Sequence, residues 1–233
     1  MNRTTREPAD SGTGRLGTGR LGEPDDPVNQ SAGPRRILLA SRNAEKLVEL
    51  RRILAPLVEV DVIGLADLPA FADVPETGAT FAENALIKAR DAFAHTGLPT
   101  VADDSGLTVD ALNGMPGVLS ARWAGTARND DANLRLVLEQ LTDVPDERLG
   151  AAFVCATALI VDGREQVVEG RMPGRLVREP RGTGGFGYDP IFVAEGHDRT
   201  SAELTAAEKD EVSHRGRALR RLAPLIQAEL GPR

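Results

Sequence analysis

The chain has 233 residues, with 28 Lys and Arg against 35 Asp and Glu, a formal net charge of −7. That acidic balance argues against a basic nucleic-acid surface as the main business of the protein, and no run of about 18 apolar residues marks a transmembrane helix. Apolar residues make up 41% and aromatic ones only 3%, so an aliphatic core must carry one large domain or two small ones.

Residues 1–34 differ from all that follows. They are rich in Gly, Pro, Thr, Arg and Asp, nearly repeat Gly-Arg-Leu-Gly at Gly14 and Gly19, and interleave acids with arginines. Too few apolar side chains are present to offset ordering entropy, so this segment is expected to be a disordered tail ahead of a single domain over 35–233. It contains no apolar stretch of the kind a secretory signal needs. Cys155 is the only cysteine, which excludes an intrachain disulfide framework or a cysteine-based zinc site and fits a reducing cytoplasm.

The folded part opens on Ile37-Leu38-Leu39-Ala40, a short apolar run of strand length. Ser41-Arg42-Asn43-Ala44-Glu45-Lys46 joins it to a helix whose Leu47, Leu50 and Leu54 share one face and which Pro56 closes. Backbone amides at such a helix start favour an anion, and Lys46 adds a charge one turn in; read structurally, the same segment is an ordinary capped turn with a solvated lysine. It is not a Walker A loop, since the required glycine spacing is absent. Residues 58–63 read as a second strand and 64–78 as a loop.

Thr80-Phe81-Ala82-Glu83 predicts a helix start in which Thr80 caps and Glu83 returns the bond. Ala82, Leu86, Ala89 and Phe93 form its expected buried stripe, and Gly97 and Pro99 end it. Residues 100–102 predict a brief strand running into Asp103-Asp104-Ser105-Gly106. Adjacent carboxylates in extended chain point opposite ways, so one can enter a cleft as a Mg²⁺ ligand or as the base for a water nucleophile while the other braces the backbone. The competing reading is an Asx-type turn.

Residues 130–141 predict a helix. Residues 151–161 predict a long apolar strand, paired through Asp162-Gly163 to residues 166–172. Cys155, inside that strand, reads as buried and inert, and the isolated His95 and His197 as surface residues. The loop at residues 182–190 has four glycines in its first six positions, which let backbone approach a ligand, and Phe186 and Tyr188 offer faces for a base. Residues 205–230 are mostly helical with a break near Ser213, where Lys209, His214 and Arg215 could read anionic or keto oxygens unless they lie on a solvated face. Strand–helix alternation followed by a hairpin predicts an α/β class with a mixed twisted sheet flanked by helices.

Six segments in one order carry a resemblance: Ser41–Lys46, Thr80–Ala85, Ala102–Leu107, Pro116–Arg122, Gly182–Pro190 and Ser213–Arg215. Each is weak alone; together they resemble the inosine triphosphate pyrophosphatase family, also called the Ham1 or dITP/XTP pyrophosphatase family. The resemblance implies two lobes around a nucleotide-binding cleft, a homodimer, and Mg²⁺-dependent hydrolysis of deaminated purine nucleoside triphosphates (dITP, ITP, XTP) to monophosphate and pyrophosphate. It implies removal of damaged purine nucleotides before they enter DNA or RNA. By the same resemblance, Ser41, Arg42, Asn43, Ala44, Glu45 and Lys46 grip the triphosphate. Asp104 is the proton acceptor and a metal ligand, and Ser105 contacts substrate. Phe186, Gly187, Tyr188 and Asp189 form the base-binding loop, with Lys209, His214 and Arg215 as further nucleotide contacts. Glu76 is the best match for a second metal-binding carboxylate, with Glu83 competing. Ser41-Arg42 stands where many members have Thr-Gly. The rival readings are a Maf-like pyrophosphatase acting on other nucleotides, a non-catalytic nucleotide sensor, and a nucleic-acid-binding protein.

Overall fold

In the computed structural model, which describes residues 35–231, the strands are β1 (Arg36–Leu39), β2 (Asp61–Gly64), β3 (Thr100–Val109), β4 (Gly150–Val161), β5 (Arg164–Leu176) and β6 (Phe192–Ala194). The α-helices are α1 (Ala44–Leu54), α2 (Phe81–Thr96), α3 (Asp130–Gln140), α4 (Ala206–Val212) and α5 (His214–Leu230). The tail expected over residues 1–34 lies outside the described residues.

The strands make one sheet in the order β2-β1-β3-β4-β5-β6, parallel where β1 meets β2 and β3 and antiparallel from β3 onward. The mixed α/β class read from the sequence is therefore the one found. α1 and α5 cover one face, where Leu50, Ile53, Leu54, Leu219, Leu222 and Ile226 pack on Ile37, Val101 and Leu159. α2 covers the other, where Phe81, Ala85 and Ala89 meet Ala102, Ala156 and Ile160. Covered on both faces, β4 is buried along almost its whole length, which is why it reads as an unbroken apolar run. A third cluster lies toward the far ends of the long strands, where α3 brings Leu134 and Val137 to Leu107, Phe153 and Phe192.

Several local expectations are revised. β3 runs ten residues rather than three, so Asp103 to Gly106 lie inside a strand and the turn reading is excluded. The reason is β4, which offers a ladder partner to every residue from Thr100 to Val109. β2 begins only at Asp61 because β1 is four residues long and pairs with nothing earlier. The buried face of α2 is centred on Phe81, Asn84, Ala85, Ala89 and Ala92, and Ala82, Leu86 and Phe93 sit half-buried on its flank. Thr80 caps α2 by accepting the Glu83 amide at 3.1 Å, but Glu83 returns its bond to the Ala79 amide at 2.6 Å, one residue before the cap. The β4–β5 turn is Asp162-Gly163, both at positive φ, as a two-residue hairpin turn requires.

Candidate active site

Asp103 and Asp104 are consecutive on β3, so the pleat sends them to opposite faces of the sheet. Asp103 faces α1 and α5. It takes Lys46 Nζ at 2.9–3.0 Å and Arg215 Nε at 3.3 Å, and Arg215 continues to Glu49 (2.5 Å) and Ser105 Oγ (3.1 Å). Burial alone would raise the Asp103 pKa; Lys46 and Arg215 outweigh it and hold the carboxyl well below its usual range. Burial would likewise lower the Arg215 pKa, but Asp103 and Glu49 raise it, so the guanidinium stays charged. Cys155 lies beneath, its thiol pushed up to about 12 by burial and by Asp103, consistent with an inert sulfur.

Asp104 faces α2. Asn84 Nδ2 donates to its Oδ2 at 3.1 Å and Lys88 Nζ lies 3.4 Å from its Oδ1. Here burial wins over Lys88, and the carboxyl is raised above its ordinary value. The same Lys88 ammonium donates to Glu76 Oε1 at 2.7 Å, so two carboxylates from different segments converge on one cation. Burial opposes ionisation of Glu76, and the Lys88 bond and charge overcome it, lowering its pKa. Glu83, the competing carboxylate, is spent on the Ala79 amide. Among the described residues no three His, Cys, Asp or Glu side chains cluster into a metal cage. Two carboxylates already gathered around a positive charge nonetheless fit Mg²⁺, which uses one or two carboxylates and completes its shell with water and phosphate oxygens.

The loop before α1 is partly committed to its own structure. Asn43 is the cap of α1, its Oδ1 taking the amides of Glu45 (2.8 Å) and Lys46 (3.3 Å), and Ser41 Oγ takes the Asn43 amide. Ala44 and Glu45 are exposed on the first turn. Arg42 turns away to Asp73 (2.6 Å) and the Phe71 carbonyl (2.7 Å), tying this loop to the one that carries Glu76. Of the six residues, Lys46 is the one whose side chain reaches the carboxylate cluster directly.

Beside Ser105 lies a cavity of about 110 Å³ walled by Ser120, Phe153, Phe186, Tyr188, His214 and Arg215. Phe186 is 41% exposed and lies under Lys209 Nζ (5.3 Å) and the Arg215 guanidinium (6.0 Å). Tyr188 is buried instead, its hydroxyl donating to the Ser120 carbonyl at 2.8 Å, so it forms wall rather than an open stacking face. Asp189 accepts the Phe186 amide and Lys209 Nζ through one oxygen, and Gly187 donates to Asp130. Gly185 has φ +72°, and a Cβ there would fall 2.0 Å from the Asp189 carboxylate, so the loop needs glycine at that point. His214 stacks on Phe153 at 4.9 Å, and its Nδ1 has no partner among the described residues. Burial, with Arg215 and Lys209 nearby, pushes its pKa well below the ordinary value and keeps the ring neutral. Arg215 and His214 are thus buried, not part of a solvated face. A larger opening of about 380 Å³ lies away from these groups, between the Asp162-Gly163 turn and the end of α5, and is bordered by the Arg164–Glu229 ion pair.

A profile of the Ham1 family matches residues 37–225. The chain belongs to the Ham1 family. A relative from Nocardia farcinica named dITP/XTP pyrophosphatase is 64% identical over 196 residues, covering 83% of this chain and 95% of that protein. One of the same name from Mycobacterium tuberculosis is 60% identical over 195 residues, covering 83% and 96%. Among solved structures, a HAM1 protein from Coxiella burnetii superposes with TM-score 0.76 at 44% identity, covering 83% of this chain and 99% of that one.

In this Ham1 chain three groups at the site were not singled out from sequence. Lys88 and Asn84 are four apart on the buried face of α2, and Glu49 is three beyond Lys46 on α1. The available signal was helical spacing: a polar pair at i and i+4 interrupting an alanine-rich buried face has to be matched by partners from the sheet.

Proposed function

We propose that this chain hydrolyses non-standard purine nucleoside triphosphates, dITP, ITP and XTP, to the monophosphate and pyrophosphate, and so cleanses the nucleotide pool before DNA and RNA synthesis. The observation that carries the reading is the convergence of Asp104 and Glu76 on Lys88, with the next residue of β3, Ser105, lining a cavity walled by Phe186, His214 and Arg215. Its relatives' shared name, dITP/XTP pyrophosphatase, points to the same chemistry.

Asp104 and Glu76 are the residues that would hold Mg²⁺, whose contribution is to neutralise charge on the phosphates and the leaving group. Asp104 orients a water and accepts its proton as the water oxygen bonds to the α-phosphorus. The bond from that phosphorus to the α–β bridging oxygen breaks, and pyrophosphate leaves with the electron pair. Lys46 and Lys88 supply fixed positive charge along the phosphates, and Ser105 with the loop over 41–46 positions the chain.

The base enters the cavity against Phe186, with Gly187 and Asp189 shaping the loop and Lys209 above it. Three of the five N–H donors of Arg215 are used by Asp103, Glu49 and Ser105, which leaves two for a 6-keto oxygen. Neutral His214 offers one further ring nitrogen. Adenine presents an amine where hypoxanthine and xanthine present that oxygen, and a site built on such bonds rejects the wrong partner by ~10⁴ or more. A homodimer and a cytoplasmic setting belong to the same reading; the latter is supported by the single buried thiol, and no helix among the described residues is long and apolar enough to cross a membrane.

The test is pyrophosphate release from dITP, XTP, dATP, dGTP and dUTP, each with and without Mg²⁺. Fast, magnesium-dependent release confined to dITP and XTP is expected. Release favouring dUTP or the ordinary nucleotides would overturn the substrate class, and binding without release would overturn the enzyme.

A further inference from the structure

The segment Pro116–Arg122 has no chemistry in the reading above, yet the fold fixes it from three sides. Ser120 Oγ accepts the Leu107 amide of β3 at 2.9 Å and donates to the Gly117 carbonyl at 2.7 Å. The Ser120 carbonyl receives the Tyr188 hydroxyl. On the far side, Asn133 of α3 donates to the Ala121 carbonyl and accepts the Ala124 amide at 2.7 Å. Held in this way, the short 3₁₀ turn from Gly117 to Arg122 delivers one long side chain to the carboxylate cluster.

That side chain is Arg122. Its Nη1 stands 3.9 Å from Glu76 Oε2, the oxygen opposite the one that Lys88 occupies. Among the described residues the guanidinium makes no hydrogen bond, and the side chain is 34% exposed. An ion pair this long and this wet contributes little to folding, so it does not account for so rigid a mount. A planar fork with its donors unclaimed, at the edge of a site lined by Lys46 and Lys88, is instead matched to phosphate oxygens, which it can take two at a time. Arg128 adds positive charge at the same carboxylate.

We propose that Arg122 is a phosphate-binding residue of this site and takes the oxygens of the departing pyrophosphate, the β- and γ-phosphates of the substrate. The inference rests on the pyrophosphatase reading for the identity of that ligand. Lys46 serves the Asp103 end of the site and Arg122 the Glu76 end, so charge developing on the leaving group meets a donor that is already in place.

The experiment compares the parent protein with Arg122→Ala and Arg122→Lys for turnover of dITP with Mg²⁺, inhibition by inorganic pyrophosphate, inhibition by inosine monophosphate, and melting temperature. In Arg122→Ala the pyrophosphate inhibition constant is expected to rise ~10-fold or more and kcat/KM to fall ~10²-fold, the scale seen when one preorganised donor is removed. Inhibition by the monophosphate and the melting temperature stay as in the parent, and Arg122→Lys recovers part of the loss. The proposal is overturned if Arg122→Ala keeps its pyrophosphate inhibition within twofold, or if both inhibitors weaken together. Should the parent release no pyrophosphate from any nucleotide, the pyrophosphatase reading falls by itself. Direct calorimetric binding of inorganic pyrophosphate to parent and Arg122→Ala then still decides whether Arg122 holds phosphate.

Discussion

Asn84 joins Asp104 to the loop that carries Glu76: its Nδ2 donates to Asp104 Oδ2 at 3.1 Å while its Oδ1 accepts the Gly78 amide at 2.7 Å. The residue is fully buried, so neither bond is replaced by water when the side chain is cut back. Asn84→Ala leaves a backbone amide and a carboxylate oxygen short of a partner, a loss of ~1–3 kcal/mol in stability for each group left unpaired. It also frees Asp104 and the Glu76 loop to move relative to each other, and a misplacement of ~1 Å at a reacting group costs on the order of 10²-fold in rate. Denaturant unfolding and kcat on dITP should fall together. An Asn84→Ala protein with parental kcat would show that the bridge positions nothing.

Asp104 is expected to show activity and stability pulling in opposite directions. Burial raises its pKa, so the ionised form, which the proposed mechanism uses, is held at a cost in the native state. That cost is present where the group is ionised and is relieved as pH falls through the raised native value. Asp104→Asn removes the charge but keeps the shape and the contact with Asn84. Turnover is therefore abolished while nucleotide binding survives, and the variant melts at or above the parent temperature at pH 7. Near-normal turnover would remove Asp104 from its role, and a drop of several degrees would contradict the assignment of its strain.

Asp103 carries the reverse sign. Lys46 and Arg215 hold its native pKa well below the unfolded value of about 3.9, so its contribution is full above that value and is lost as pH falls toward the native one. Asp103→Asn leaves the buried Arg215 with Glu49 as its remaining carboxylate, and breaking a buried pair from one side costs ~3–5 kcal/mol. The stability gap between parent and variant should be widest at pH 7 and narrow steadily below about pH 4, where the parent begins to lose the same interaction. A gap independent of pH would mean that packing, not charge, is what Asp103 supplies.

The opposite behaviour of two neighbouring aspartates marks the limit of what the sequence discloses. Strand pleating was enough to send Asp103 and Asp104 to different faces once both were placed in extended chain. What residues 100–106 did not reveal was that the chain stays extended, because the partner that enforces it, β4, lies some fifty residues on. The apolar runs of β1 and β4, the cap at Thr80 and the helix break at Ser213 are local signals, and the sequence places these elements within a residue or two. Lys88, Asn84 and Glu49 are not legible because a polar side chain on a helix reads the same whether it faces water or a polar partner on the sheet or another helix. Arg42 was assigned to phosphate by its place in a motif, yet Asp73 and Phe71, outside that motif, hold it elsewhere.

Gly170 of β5 tests whether the cavity proposed for the base depends on how closely α5 approaches the sheet. A Cβ at this position would lie 2.0 Å from the His214 carbonyl oxygen and 2.5 Å from the Ala218 amide nitrogen, both backbone atoms of the first turns of α5. Backbone cannot swing aside as a side chain can, so Gly170→Ala must shift the helix start, at ~1–3 kcal/mol for the overpacking. The residues displaced are His214 and Arg215, whereas Asp104, Lys88 and Glu76 are held by α2 and its preceding loop and stay in place. KM for dITP is expected to rise ~10-fold or more, following the loss of alignment at the base, while inhibition by inorganic pyrophosphate remains parental. Loss of pyrophosphate inhibition in the same variant would show instead that the two halves of the site move as one, and that α5 supports the phosphate end through Arg215, Asp103 and Lys46.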